Sequence, residues 1–265
     1  MIKTVIKNIL KNILSIFARR HNSQKEKAVM LFNTIRDKED LRDHIYTAIS
    51  EPALIKHRIP NLPPIRNQKS IGSCASHAVI AAYEIQLLNS SKRQYIEGSE
   101  LFHYYYARKN AGTFPKDTGM TIRQACATMS IYGMALEYIW PYSIDKYNTE
   151  PNNLAKVFAS LYKIKEYQKL LSINDVENSI IDNIPVIIGL PMSAPFFRLN
   201  RDNYTFSYNG MSQGGHAILV VGMDKERKVF EVRNSWGMNW GHEGYFEITY
   251  EDFEKYAFDS WRIIN

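Results

Sequence analysis

Cysteine is scarce in this sequence, and the scarcity bears on where the protein works. Only two cysteines, Cys74 and Cys126, occur among 265 residues. A secreted enzyme of this size more often carries a set of disulfides. We therefore expect a cytoplasmic or other reducing compartment and not classical secretion.

Glycine, proline and long apolar runs are also few. The chain has 13 glycines and 10 prolines, and 45% of its residues are hydrophobic, which suits one sizeable core or two modest lobes. No stretch of about 18 uncharged apolar residues occurs, so no ordinary membrane-spanning helix is predicted. The sequence also lacks internal repeats and low-complexity segments, so a globular fold is expected.

Excess positive charge is confined to the N-terminal end. The net charge is +6, but residues 1–36 alone carry +7, which leaves −1 for the rest of the chain. A nearly neutral body argues against nucleic acid as a partner.

In residues 1–20, aliphatic side chains recur every three or four positions between lysines, which predicts a basic amphipathic helix. Lysines within that apolar run and the lack of a small-residue cleavage site argue against a secretory signal. A second helix is predicted over residues 28–46.

The periodicity of the sequence changes near its middle. Helical patterns dominate the first half, where Thr121 and Gln124 form a capping box before a helix that ends at Gly133. Short β-branched or alternating runs separated by glycine dominate from Pro185 onward. Helices are predicted over 74–88, 100–108 and 174–182, and strands over 186–188, 217–221, 229–233 and 245–250. This order indicates an α+β fold with a helical N-terminal lobe, an antiparallel C-terminal lobe and a cleft between them.

A lone cysteine begins the first of these predicted helices. Cys74 follows a Gly-Ser turn and directly precedes the apolar helical pattern. Unpaired N–H groups and partial positive charge at a helix N-terminus stabilise a thiolate, which is the reactive form of cysteine. The position therefore predicts a nucleophile. Cys126 instead shares a helical face with Ile122 and Met129, and is expected to be a core residue.

Three polar residues elsewhere complete the expected chemistry. His216 stands at the mouth of one predicted strand and Asn234 ends the next, so the two can meet as neighbours. His216 would take the thiol proton and deliver it to the leaving amine, while the Asn234 side chain would orient the imidazole. Gln68 and the backbone N–H of Cys74 would form an oxyanion hole.

These blocks resemble the papain family of cysteine proteases. Gln68 lies six residues before Cys74, the histidine and asparagine lie 142 and 160 residues after it, and the run Asn-Ser-Trp-Gly-x-x-Trp-Gly-x-x-Gly-Tyr is intact over residues 234–245. The resemblance covers residues 58–265 and implies a papain-like two-lobe fold whose second lobe is β-barrel-like, with the active site in the cleft. It divides the chain into an N-terminal arm, residues 1–58, and a peptidase domain, residues 59–265.

The resemblance also implies roles for residues around the cleft. Trp236 would shield the hydrogen bond between His216 and Asn234, and Trp240 would line the leaving-group side. A polypeptide substrate would bind as an extended strand along the backbone near Gly119, and no metal or organic cofactor is implied. The remaining residues expected to bind substrate are Met120, Gly215, and the pair Gly189 and Ala217, which would line a roomy apolar pocket.

Two departures from the family pattern lie close to the nucleophile. Ile71 replaces the usual cysteine three residues before it, so the disulfide which that cysteine would make is missing, and Ala75 replaces the usual aromatic residue. The pattern is more similar to the disulfide-free branch found in bacteria and large DNA viruses than to lysosomal cathepsins. Association with virions is therefore one expectation for its location.

Other interpretations stay open. His77, three residues beyond Cys74 on the same helix, is a rival base, although no asparagine block is present to orient it. The same Cys-His-Asn set could pass the acyl group to an amine, which product analysis with added amine would reveal, and a non-catalytic binding protein on a protease scaffold is a further alternative. The arm has two possible uses, as a propeptide that covers the cleft or as a tether that lays residues 1–20 on an anionic membrane.

Overall fold

The computed structural model describes residues 33–91 and 95–265. The basic amphipathic helix predicted for residues 1–20 lies outside these ranges. The helix predicted over 28–46 is wrong for its described part, because residues 33–40 form no helix and Ile45–Tyr46 form a short strand, β1. Contacts with the rest of the fold, reported below, hold this segment extended and override its local helical periodicity.

Three helices build the first lobe: α1, Cys74–Asn89; α2, Glu100–Asn110; and α3, Ile122–Tyr132. The Ser99 side chain caps α2 by accepting from the N–H of Phe102, and the predicted capping box of Thr121 opens α3. Gly133 ends α3 with a φ of 76°, a conformation that glycine adopts without steric cost. The predicted helices are thus confirmed, with ends shifted by at most two residues.

Shorter elements complete the described chain. Helices α4, α5 and α6 span Asn153–Ala159, Ile173–Ile181 and Tyr250–Tyr256, and 3-10 turns lie at Ile144–Lys146 and Ala194–Arg198. The strands after β1 are β2, Lys56–Arg58; β3, Glu166–Leu170; β4, Val186–Pro191; β5, Thr205–Phe206; β6, Gly215–Asp224; β7, Val229–Arg233; β8, Tyr245–Thr249; and β9, Asp259–Ile264. The four strands predicted from sequence are all present, and five strands are additional.

The strands form one sheet in the order β1-β3-β9-β4-β6-β7-β8-β5, with β2 paired to β6. Neighbours are antiparallel except for β1 with β3 and β5 with β8. Strand β6 lies at the centre, has nine buried residues out of ten, and is hydrogen-bonded to β4 and β7. Because β6 begins at Gly215, His216 lies at its N-terminal end. The α+β class is confirmed.

The two lobes meet where α1 packs against β6. Arg66, from the extended chain before α1, forms ion pairs there with the buried carboxylates of Glu84 and Glu100. These pairs join α1 and α2 to the boundary between the lobes. Within residues 33–91 and 95–265, no helix is both long enough and apolar enough to cross a membrane.

Candidate active site

The thiol of Cys74 lies at the start of α1, fully buried. Its sulfur lies 3.0 Å from the hydroxyl of Thr34, and nearby backbone N–H groups, including that of Ala217, act to lower its pKa. Burial raises the pKa of Cys74, against the opposing effect of the Thr34 and backbone hydrogen bonds. The thiol is therefore neutral at pH 7 in this state.

His216 and Asn234 meet as the sequence predicts, because β6 and β7 are antiparallel neighbours and Asn234 directly follows β7. His216 Nε2 and Asn234 Oδ1 are 2.8 Å apart, and this oxygen also accepts from the N–H of Ser235 at 2.8 Å. With Nε2 engaged, Nδ1 is the ring nitrogen able to exchange a proton with a thiol. Ala217, whose backbone N–H lowers the pKa of the Cys74 thiol, directly follows His216 in β6, so the start of this strand lies next to the thiol.

The imidazole is as deeply buried as the thiol. Burial lowers the pKa of His216 to about 4, although the hydrogen bond to Asn234 acts in the opposite direction. The imidazole of His216 and the thiol of Cys74 are therefore both neutral at pH 7. The charged pair of thiolate and imidazolium that thiol proteases use requires that this desolvation be relieved.

Hydrogen bonds fix the orientation of the Gln68 carboxamide, six residues before Cys74. The Ser235 hydroxyl donates to Gln68 Oε1 at 2.6 Å, and Gln68 Nε2 lies 3.2 Å from the carbonyl oxygen of Ile71. The backbone adds two bonds: the N–H of Gln68 donates to Ser235, and the Tyr142 hydroxyl donates to the carbonyl of Gln68. Because Oε1 is the acceptor for Ser235, the N–H donors of Nε2 lie at the opposite edge of the planar carboxamide.

Aromatic rings enclose the pair of His216 and Asn234. The ring centroid of Trp236 lies 5.2 Å from that of His216, and Trp236 is 5% exposed, as expected for a residue that excludes water from the hydrogen bond. Trp240 packs edge-on against Trp236 at 5.2 Å. Phe196, fully buried, contacts both tryptophans and the histidine ring. A dry aromatic environment strengthens the hydrogen bond that orients the imidazole.

Three of the residues expected to bind substrate, Gly189, Gly215 and Ala217, lie on the paired strands β4 and β6. Gly189 and Ala217 are directly opposite each other in the pairing of β4 with β6. The space beside Gly189 is occupied by the Phe258 ring, because a Cβ added at Gly189 would lie 2.3 Å from that ring. Phe258 also approaches Gly215, whose added Cβ would lie 3.1 Å from it. The roomy apolar pocket predicted here is thus partly filled by the chain's own phenylalanine.

Residues 33–37, which we call the covering segment, lie across this cleft. The N–H of Thr34 donates to the carbonyl of Gly215 at 2.9 Å, and the N–H of Ile35 donates to the carbonyl of Met120 at 3.3 Å. Asn33 approaches Gly119 so closely that a Cβ there would fall 1.9 Å from the Asn33 carbonyl oxygen. The segment therefore occupies the backbone groups to which the resemblance assigns substrate binding.

Asp37 anchors the far end of the covering segment. Its N–H donates to Asp259 Oδ2 at 2.7 Å, and its carboxylate accepts from Trp261 Nε1 at 3.0 Å and from the N–H of Arg123 at 3.2 Å. Farther along the chain, β1 pairs with β3, and β2 pairs with the central strand β6. The chain after Asp37 is therefore part of the main sheet.

Four residues at the site escaped the sequence interpretation: Thr34, Phe196, Ser235 and Phe258. Ser235 lies in the Asn-Ser-Trp-Gly motif next to Asn234, so the motif could have indicated it. Its hydrogen-bond partner Gln68 is 167 positions away and could not be predicted from that motif. The other three have no local motif. Their positions depend on contacts between segments far apart in sequence.

The structure also shows the surroundings of His77, the rival base, and of Cys126, the second cysteine. His77 is buried, with Nδ1 3.1 Å from the carbonyl oxygen of Ser73 and Nε2 3.9 Å from a carboxylate oxygen of Glu100. Burial lowers the pKa of His77 to about 3. Cys126 is fully buried within α3, as predicted, and burial raises its pKa well above its usual range. Cys74 and Cys126 are both free thiols, but Cys74 begins α1 and lies 3.0 Å from the Thr34 hydroxyl, whereas Cys126 lies within α3.

Comparisons with known proteins place this site in context. The profile of the papain family cysteine proteases matches residues 52–260. An uncharacterised peptidase C1-like protein of Acanthamoeba polyphaga mimivirus is 29% identical over 251 residues, covering 86% of this chain and 80% of that protein. A viral cathepsin of Rachiplusia ou multiple nucleopolyhedrovirus is 25% identical over 203 residues, which cover 72% of this chain and 57% of the cathepsin. Xylellain, a cysteine protease from Xylella fastidiosa, superposes with a TM-score of 0.82 at 26% identity over 92% of this chain and 99% of its own.

Proposed function

We propose, starting from the fact that this chain belongs to the papain family of cysteine proteases, that it is an endopeptidase acting through Cys74, His216 and Asn234. The observation that carries the proposal is the 2.8 Å contact between His216 Nε2 and Asn234 Oδ1 beside the buried thiol. An imidazole held through one nitrogen presents the other for proton transfer.

The first half of the reaction forms a thioester. Cys74 Sγ attacks the carbonyl carbon of the substrate while His216 Nδ1 takes the thiol proton. The negative charge that develops on the carbonyl oxygen is stabilised by Gln68 Nε2 and the backbone N–H of Cys74. The intermediate then collapses: the C–N bond breaks, the imidazolium protonates the leaving amine, and the acyl group remains on sulfur.

The second half releases the acid. His216 takes a proton from a water molecule, whose oxygen attacks the thioester carbonyl. The C–S bond breaks, and the returning proton regenerates the thiol of Cys74. Asn234 keeps the imidazole in one orientation through both halves, so the same nitrogen acts first as base and then as acid.

Selective labelling tests this assignment. An epoxysuccinyl peptide alkylates a thiol that is activated by a neighbouring imidazole, so we expect stoichiometric labelling of Cys74 and none of Cys126, whose pKa burial raises. Intact mass and peptide mapping of the treated protein would measure both, alongside loss of peptide hydrolysis. Equal labelling of the two cysteines, or full activity after Cys74 is labelled, would contradict the proposal.

We also propose that the covering segment inhibits the enzyme until it is displaced. Thr34, Gly215, Asn33 and Gly119 are in contact across the cleft, so substrate cannot bind the same backbone groups at the same time. The thiol sulfur meets a hydroxyl at 3.0 Å instead of a carbonyl carbon, which leaves the segment uncut. The segment also keeps water from the thiol and the imidazole, whose burial holds both groups neutral.

We expect activation to displace only the covering segment and not to remove the whole arm, because the chain after Asp37 is anchored to the sheet. Deletion of residues 1–58 would remove β1 and β2, leave the edge of β6 unpaired and uncover the fully buried Ile59. A substitution that loosens only residues 33–35 is therefore the sharper test. It retains the anchor at Asp37 and every strand.

Replacing Asn33, Thr34 and Ile35 together by glycine in the full chain is expected to raise peptide hydrolysis about 30-fold. Three glycines cost the ordered segment roughly 0.5 to 1 kcal/mol each, and the hydrogen bond of the Thr34 hydroxyl to sulfur is lost as well. About 2 kcal/mol shifts the population of the open cleft by about that factor. Initial rates with a fluorogenic peptide and the rate of Cys74 alkylation should rise together.

The matched control is Glu39→Gly with Leu41→Gly, which loosens exposed positions beyond the anchor. It should leave both rates within a factor of about two. Unchanged rates in the triple-glycine variant would contradict inhibition by the covering segment. If deletion of residues 1–20 then abolished sedimentation with anionic vesicles, the arm would be a membrane tether, the alternative that the sequence left open.

We also propose that the enzyme works in a reducing compartment. Cys74 has to remain a free thiol to act, and both cysteines of the chain are free and buried. No disulfide stabilises this fold, so reducing conditions do not destabilise it.

A further inference from the structure

Asp117 joins three parts of the molecule that meet beside the cleft. Its Oδ1 accepts from the N–H of Gly72 at 3.0 Å and forms a short hydrogen bond with the hydroxyl of Tyr104. Gly72 belongs to the turn before Cys74, and Tyr104 is a fully buried residue of α2. Asp117 itself lies two residues before Gly119, on the loop whose backbone contacts the covering segment.

The donors to this carboxylate are fixed in their roles. A backbone N–H can only donate, and burial together with the Asp117 contact raises the pKa of Tyr104, so its hydroxyl stays protonated. The same hydroxyl lies 3.1 Å from the carbonyl oxygen of Thr118, which adds a second tie to the loop. Arg108, one turn farther along α2, stacks on the Tyr104 ring at 4.3 Å and donates to the carbonyls of Pro115 and Lys116. The 115–118 loop is thus held from α2 at several points, and Asp117 extends that hold to the nucleophile turn.

The hydrogen bond from Gly72 to Asp117 matters for the turn before Cys74 because no disulfide holds that turn in place. Ile71 stands where similar proteins carry a disulfide cysteine, and both cysteines of this chain are free. A Cβ added to Gly72 would lie 3.4 Å from Asp117 Oδ1 and 3.4 Å from the Tyr104 hydroxyl, so the turn packs directly against both groups. Hydrogen bonds to a buried or partly buried acceptor fix such a turn through geometry.

We propose that Asp117 is a positioning residue that sets the distance between the nucleophile turn and the substrate-binding loop. The inference rests on the proposed role of Cys74 as nucleophile and of Gly119 and Met120 as the backbone that holds substrate. Loss of the Asp117 acceptor lets the two walls of the cleft shift relative to each other. A displacement of about 1 Å between a nucleophile and its substrate can lower turnover by up to about 100-fold.

Asp117→Ala in the full chain is therefore expected to lower kcat/KM by about 10- to 100-fold per titrated active site. Active-site titration with an epoxysuccinyl inhibitor counts the competent molecules, so a merely structural loss would appear as fewer sites with unchanged kcat and KM. Asp117→Asn retains an Oδ1 that can accept both hydrogen bonds, and should keep at least a third of the wild-type kcat/KM. Tyr104→Phe removes one of the two bonds and should fall between them, while Tyr104→Phe with Asp117→Ala should be no worse than Asp117→Ala alone.

The control is Asp175→Ala, which removes a buried carboxylate that, like Asp117, joins a loop to a helix. Asp175 accepts from the N–H groups of Ala48, Leu171 and Ser172, so its loss should lower the thermal midpoint and leave kcat/KM per site unchanged. Measuring the same substitutions in the triple-glycine background separates an effect on positioning from an effect on the covering segment.

Wild-type kcat/KM per site in Asp117→Ala, or an Asp117→Asn variant as impaired as the alanine variant, would overturn the inference. If Asp117→Ala fails to fold, wild-type kinetics in Tyr104→Phe would overturn it. Full activity in Cys74→Ala would instead reject the proposed function on which it rests.

Discussion

Replacing Cys74 by alanine is expected to lower peptide hydrolysis by about 10⁵- to 10⁶-fold while the chain remains folded. No other group at the site can form the thioester, so the remaining rate comes only from substrate binding and the oxyanion donors. The side chain is fully buried and alanine fits its space, so the free energy of unfolding should change by only about 1 kcal/mol. Initial rates measured at high enzyme concentration, together with thermal unfolding, would establish both parts.

Cys126→Ala provides the matched control in the same lobe. Cys126 is also fully buried, but it lies within α3 and not at the start of α1. Its loss should reduce stability by a similar amount and leave kcat and KM unchanged. Hydrolysis by Cys74→Ala at more than about a thousandth of the wild-type rate would remove Cys74 from the mechanism.

His216→Ala is expected to be almost as damaging as Cys74→Ala, and Asn234→Ala much less so. The first substitution removes the proton carrier, whereas the second leaves the imidazole in place and removes only the 2.8 Å contact that orients it. We expect a loss of about 10⁵-fold for His216→Ala and about 10²-fold for Asn234→Ala. Combining Cys74→Ala with His216→Ala should add little, because the two side chains act as one unit.

His103→Ala is the control for burial of a histidine. His103 is fully buried, and burial lowers its pKa to about 4, the same value as for His216. Its hydrogen bonds go to Ser76 and to the carbonyl of Ala125, inside the helical lobe. The variant should lose stability and keep its turnover per titrated site. If Asn234→Ala proved as inactive as His216→Ala, the purely orienting role of the asparagine would be wrong.

The proposed catalytic residues could be selected from the sequence because each of them belongs to a local pattern with its own meaning. A cysteine before an apolar helical stripe, a histidine at a strand mouth and an asparagine in an intact Asn-Ser-Trp-Gly run are separate signals in the right order. The helix caps at Ser99 and Thr121 are equally local, and the structure confirms both. The papain-like fold that the resemblance implied is confirmed by the superposition on xylellain.

The prediction of a helix over residues 28–46 shows where local patterns stop being informative. The described part of that segment is extended, because its N–H groups donate to Gly215 and Met120 and its Asp37 is buried against Trp261. Helical periodicity in such a segment competes with hydrogen bonds to partners about 80 to 220 positions away, which no sequence window contains. Strands β3 and β9 escaped prediction for a similar reason, since their pairing with each other joins distant parts of the chain.

The sequence by itself therefore determined the lobe order, the helix ends and the chemical class of the reactive residues, because these depend on side chains within a few positions of one another. Only the tertiary structure decided that Thr34 lies against the thiol, that Phe258 fills the space beside Gly189 and that Asp117 joins its loop to the turn before Cys74. Each of these contacts joins residues between 40 and about 70 positions apart in the chain. The free energy of these contacts depends on how the whole chain packs, so it cannot be predicted from the local sequence.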